Sequence, residues 1–453
     1  MNKKISRQKF LKDISVITLG MLTFSKIMLA SEQGITKLIN ILPIQNDPKG
    51  ILRLMKGFDY KILSQKGDVM SDGLTVPDHA DGMASFSGKN GNIILIRNHE
   101  IGHFKTIEKL LDKNPMQKNK QYINQNADLI YDLGTNKNPC GGGTSTIVYN
   151  PNTNKVEKEY LSLAGTLINC GGGITPWGTW ISCEETVDIK GKGLNKNHGY
   201  NFEVIPSEKA KLNKAIPLKS MGRFRHEAIA IDPKTSIAYQ TEDRSDGAIY
   251  RFIPNEKQNY VKGGQLEALI IKDFLAADTR NWDKNQFTIN KKYKIDWLKL
   301  NDVDSPKDDL RYRATNNGAA LFARPEGMWY DNNIIYFTCT SGGKNKLGQI
   351  WKIDTMNETL ELMFESQNSN TMKACDNITI APWGDVIVCE DGKGRDRLLG
   401  LKPNGTTYTI AENYLNSSEF AGVNFSPDGH ILFVNIYRPT MTIAITGPWK
   451  EII

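Results

Sequence analysis

Cys170, Glu227, Glu326 and Asp376 each open a short alternating apolar run, and Glu100, Glu184 or Glu185, Glu242 with Asp243, and Glu390 with Asp391 each close one. Acids converging from separate segments would repel one another by several kcal/mol in a partly buried site, so cations must sit among them. Carboxylates with Asn and main-chain carbonyls suit hard ions such as Ca2+. A thiolate among them points to a softer or more strongly Lewis acidic ion, with iron and zinc the natural choices. For any one Glu the simpler reading is a strand cap or an arginine partner, but recurrence at one place in several segments favours a metal cluster. Cys170 alone reads equally well as a ligand or a small buried thiol. Cys183, Cys339 and Cys389 lie one residue before strand ends, across the pleat from the terminal polar residue, and read as structural.

Cations stand beside two of these acids. Met221-Gly222-Arg223-Phe224-Arg225-His226-Glu227 and Arg324-Pro325-Glu326-Gly327 put guanidinium groups just ahead of Glu227 and Glu326. Arg offers a bidentate fork to phosphate, so an oxyanion substrate over a metal cluster is one reading, and salt bridges to the same acids are the other. Cys140-Gly141-Gly142-Gly143-Thr144 lacks the lysine of a phosphate loop and precedes a strand rather than a helix. No Ser or Thr sits in a nucleophile-and-base constellation, which makes a metal-bound oxo or hydroxo group the expected attacker.

Such a cluster needs elements that return to one place. Residues 227–242, 326–340, 376–390 and 421–435 repeat one unit: a short strand, a turn at Pro, Gly or Asn, and an apolar strand ending in a polar residue. Residues 170–185 and 83–100 fit more loosely, making six. Period-2 strands with turns at fixed offsets are the signature of propeller blades, so an all-β, six-bladed β-propeller is expected, with equivalent positions meeting at the axis. Further strands are expected at 143–149, 199–204, 247–252 and 348–353. A minimal blade needs roughly 40–45 residues. The excess over that is assigned to loop and helical insertions on one face, at 101–138, with a helical piece near 106–111, and at 254–316.

Of the 453 residues, 39% are hydrophobic and 24% charged, which excludes a disordered or collagen-like chain. The net charge of +7 is mostly local. Six of the 57 basic and one of the 50 acidic residues lie in the first thirty, leaving 51 against 49 and little support for a nucleic-acid-binding surface. That segment is basic, then apolar over 14–24, and reads as an export leader over 1–30, with residues 31–453 one catalytic propeller domain. Ser6-Arg7-Gln8-Lys9-Phe10-Leu11-Lys12 is similar to a twin-arginine signal with Gln8 at the second arginine, so the export route stays open. No later run reaches the roughly 18 apolar residues of a membrane span. A periplasmic or secreted monomer is expected.

The chain resembles the PhoX-type alkaline phosphatases. The resemblance rests on Arg97-Asn98-His99-Glu100, the Cys140–Thr146 segment, the Asn169–Glu185 block, Gly222–Glu227, Thr241–Arg244 and Arg324–Gly327, extended by Asp376-Asn377 and Glu390-Asp391. It implies hydrolysis of phosphate monoesters with Fe3+ and Ca2+ in one oxo-bridged cluster. On matching positions it implies Cys170 as the thiolate ligand of iron, and Glu185, Glu227, Glu326, Asp376 and Glu390 as carboxylate ligands. Asn377 and Glu100 are further members. Arg324 would contact phosphate, with Arg223 or Arg225 helping to orient it. Two other readings are a Ca2+-dependent lactonase-like hydrolase, which needs no thiolate, and a propeller that binds a ligand without turnover.

Overall fold

The computed structural model describes residues 42–102 and 119–452; the leader and the helical piece expected near 106–111 lie outside them. Six strands, Ala80–Ser87, Asn169–Ile174, His226–Ile231, Pro325–Asp331, Cys375–Ile380 and Phe420–Phe425, each pair antiparallel with the strand that follows. Each of the six also packs against the next, and the last against the first, so they close a ring. A cavity of about 30 Å³ on the axis is lined by residues of all six, among them Gly82, Gly171, Ala228, Gly327, Asn377 and Gly422.

Further antiparallel strands extend these hairpins outward. Gly142–Asn150, Asn201–Val204, Ile249–Pro254 and Gln349–Asp354 fall where third strands are expected from sequence. The fold is all-β and propeller-like, but its hydrogen bonding does not give six separate four-stranded sheets. Among the described residues there are five sheets, one of them with nine strands. The strand Lys292–Lys299 causes the fusion, pairing with Gly264–Ile271 on one side and Thr359–Glu365 on the other. Residues 254–316, expected as an insertion, therefore supply sheet as well as the short helix Leu310–Asn316. In Lys292–Lys299 the buried Tyr293 and Ile295 alternate with exposed Lys292, Lys294 and Asp296, so one lysine-rich stretch serves both core and solvated face.

An early and a late strand close the ring. Asp59–Gln65 pairs with Met441–Thr446, so an early strand completes the sheet begun by the last three. Apolar side chains fill the space between sheets, as where Phe287, Phe322, Phe337 and Trp351 meet edge to face or stacked.

Candidate metal centre

The hairpins share a defect that builds the site. In each, the inner strand's register slips near its start, across 80–83, 169–172, 226–229, 325–328, 375–378 and 421–424. Two residues there oppose one, as in a β-bulge, which bends the strand and re-aims a side chain. The residues carried at the slips include Asp81, Cys170, Glu227, Glu326 and Asp376; the matching sequence position in the sixth strand is Ala421. Carbonyls freed from the ladder are caught by the neighbouring hairpin. Asn98 donates to the Cys170 oxygen, Thr241 to that of Glu326, Thr338 to that of Asp376 and Asn435 to that of Asp81.

A second ring forms just beyond the outgoing strands. The backbone N–H groups of Glu100, Glu185, Asp243, Thr340, Asp391 and Tyr437 donate to the carbonyls of His79, Ile168, Arg225, Arg324, Ala374 and Glu419, a single contact made six times. Glu100 and Glu185 thereby join the inner acids. Ligand atoms of Asp81, Glu100 and Cys170 lie within 4.8 Å of one another, as do those of Cys170, Glu185 and Glu227, and those of Glu227, Glu326 and Asp376. The three trios share Cys170 and Glu227 and form one continuous group.

Its electrostatics demand cations. Six carboxylates face two guanidinium groups, Arg225 and Arg324, which leaves four negative charges uncompensated even before Asp243 is counted. Glu227 is fully buried and neither of its oxygens has a hydrogen-bond partner; Asp81 Oδ1 is also unpartnered. Burial, then Glu326 and Asp376, push the Glu227 carboxyl well above its usual range. Burial, then Glu100 and Asp376, do the same to Asp81, and burial, then Asp81 and Glu227, to the Cys170 thiol. Burial and Asp391 raise Asp376 to about 7; burial raises Glu100 to about 7 against the Tyr437 hydroxyl, which donates to it at 2.5 Å. Orphaned buried carboxylates beside a thiol fit a mixed cluster of Ca2+ and a softer ion.

Three residues expected in the site stand elsewhere. Glu390 is saturated by the Arg397 side chain and by the N–H groups of Lys373 and Arg397. It pairs with Cys375 across the hairpin, and one residue further on the pleat reverses, so Asp391 lies toward the acids. Glu184, with His198, and Glu242, with Arg311, occupy the same outward position. Arg223 is fully buried and donates to the carbonyls of His198, Ser305, Val187 and Asp188, so it braces loops and cannot reach a substrate. Asn377 donates to Asp376 Oδ1 at 3.0 Å while its own oxygen accepts from Gly422 N–H at 2.5 Å, so it orients Asp376 and is not placed as a ligand.

Arg225 and Arg324 border the acids, each with a side chain more than a third exposed. Arg225 donates to Glu185 at 3.1 Å; Arg324 forks onto Asp243 and also donates to Glu326. Sequence reasoning missed Asp81 and Tyr437. Asp81-Gly82 matches Cys170-Gly171 and Glu326-Gly327, a signal hidden because that hairpin copy was started at Met83. A cavity of about 670 Å³ lies away from the acids at the turn ends of the hairpins, lined by Trp329, Trp383 and Trp449. Donor chemistry, not size, identifies the centre.

The likeness to one solved structure agrees with this fold. The chain is similar over 90% of its length, at 17% identity and a TM-score of 0.64, to 98% of the Pseudomonas fluorescens PhoX chain in complex with vanadate, a transition state analogue. A gluconolactonase from Xanthomonas campestris matches at 8% identity, covering 90% of this chain and 97% of its own, with a TM-score of 0.47. A search of curated proteins finds no match. The family described as alkaline phosphatase PhoX matches residues 39–440, and on that span the chain belongs to the PhoX alkaline phosphatase family.

Proposed function

We propose that this chain is an exported phosphomonoesterase that works with iron and calcium ions held by Cys170, Asp81, Glu100, Glu185, Glu227, Glu326 and Asp376. The observation that carries the reading is Glu227, buried with both carboxylate oxygens unpartnered amid a thiol and five more acids. Such a group is costly unless ions satisfy it. Bound ions would supply neutralisation of the phosphoryl oxygens and activation of the attacking oxygen. Arg324 and Arg225, partly exposed beside the acids, would turn from Glu326, Asp243 and Glu185 to fork the phosphate once ions neutralise those acids. The six hairpins are read as six blades, with Lys292–Lys299 stitching two of them into the nine-stranded sheet.

Export follows the family resemblance and the sequence of residues 1–30. Among the described residues no helix is long and apolar enough to cross a membrane. The test is direct: purified protein hydrolyses a chromogenic phosphate monoester at alkaline pH, loses activity to chelator and regains it with Ca2+. Elemental analysis of protein purified without added metal finds iron and calcium together. Turnover that survives exhaustive metal removal overturns the reading.

A further inference from the structure

We propose that Asp132, Cys140 and His198 form a second metal site, suited to one Zn2+ or a similar borderline ion, outside the acidic centre. The Cys140–Thr146 segment stood out in the sequence, and neither the acidic centre nor the hydrolysis uses Cys140. Its Sγ lies 3.9 Å from His198 Nε2, and Asp132 Oδ2 lies 3.3 Å from the same nitrogen. Ligand atoms of all three fall within 4.8 Å of one another, and all three residues are buried. Bonds of about 2.0–2.3 Å to a tetrahedral Zn2+ leave roughly 3.3–3.8 Å between neighbouring ligand atoms, close to what is present.

The surroundings are those of a metal site. His198 Nδ1 is 2.6 Å from Glu184 Oε1, so the ring donates there and, when neutral, leaves the Nε2 lone pair facing Cys140 and Asp132. A carboxylate behind a ligating histidine fixes its tautomer and strengthens its donation. Asp132 is held by N–H groups on both oxygens, Gly134 on Oδ1, and Asn195 and Lys196 on Oδ2. A carboxylate and a thiolate balance a divalent charge. One N, one S and one O ligand suit zinc better than calcium. The site would pin the loop between Glu184 and His198, which starts at Glu185 of the acidic centre. The competing account is a doubly protonated imidazole clamped between Glu184 and Asp132, with Cys140 a bystander.

Co2+ separates the two, because a thiolate ligand gives a charge-transfer band that carboxylates do not. The full chain carrying Cys170→Ser, stripped of metal, is titrated with Co2+; no thiolate band can then come from the acidic centre. The proposal expects one equivalent to produce a thiolate band and tetrahedral d–d absorption. Adding Cys140→Ser removes the thiolate band, and adding His198→Gln weakens binding at least about tenfold. No band in folded Cys170→Ser protein, or a band that persists with both cysteines replaced, overturns it. Should the double variant not fold, alkylation of Cys140 in the Cys170→Ser chain is followed by mass spectrometry with and without Zn2+. Protection by Zn2+ supports the site, and an unchanged rate refutes it. Hydrolysis by the otherwise unaltered chain is scored separately, so failure of the phosphatase reading leaves this result intact.

Discussion

Cys170 separates the chemical readings of the acidic centre at the level of one atom. Replacing Sγ with a hydroxyl oxygen barely changes volume but removes the soft ligand. Cys170→Ser should lower iron content to background and reduce phosphomonoester turnover at least about a hundredfold, read by elemental analysis and initial rates. A purely calcium-dependent hydrolase would keep its rate. The arginines divide similarly. Arg324→Ala should raise KM and lower kcat with little change in melting temperature, because its side chain is partly exposed. Arg223→Ala should do the reverse, since it strips four carbonyls of a buried donor and leaves no group that could touch substrate. Both arginines flank acids in sequence, so only burial and partners tell them apart. That is why sequence alone grouped Arg223 with Arg324, although Arg223 is buried against carbonyls.

At the scale of the element, the hairpin repeat was legible because strand alternation and turn residues are local properties. Six copies were readable, and with them Cys170, Glu185, Glu227, Glu326 and Asp376. The slip inside each copy was not legible, because a bulge depends on pairing across the hairpin. Its consequence is a one-residue uncertainty about which acid turns inward, and at Glu390 the wrong one was chosen over Asp391. In the second copy, close approach of the next inner strand also depends on glycine. A Cβ on Gly171 would come 2.4 Å from the Glu227 carbonyl and 2.9 Å from its Oε1. Both belong to the next inner strand, so Gly171→Ala must displace the central acid of the cluster. It should cost about 1–3 kcal/mol of stability and lower metal content more than Arg324→Ala does, checked by melting and metal analysis together.

For the whole molecule, closing the ring forces like charges together whether or not ions are present. The lesson for pH follows from the sign of the shifts. Burial and crowding push Glu100 and Asp376 up to about 7 and hold Asp81, Glu227 and Glu326 well above the usual carboxylate range, while the unfolded chain loses these protons near its ordinary values of about 4. The metal-free folded state therefore binds more protons than the unfolded state, and its stability falls as pH rises from about 4 through 7. Ions bound there would reverse this, because they need the deprotonated acids and a folded ring. Melting temperature of the stripped protein should drop by several degrees between pH 5 and 8, and saturating Ca2+ with iron should raise it most at pH 8. Glu227→Gln removes one buried charge, so its stripped form should melt above the stripped parent at pH 8 while gaining less from added metal. A stripped parent whose melting temperature rises with pH over that range would mean that these acids do not crowd a shared axis.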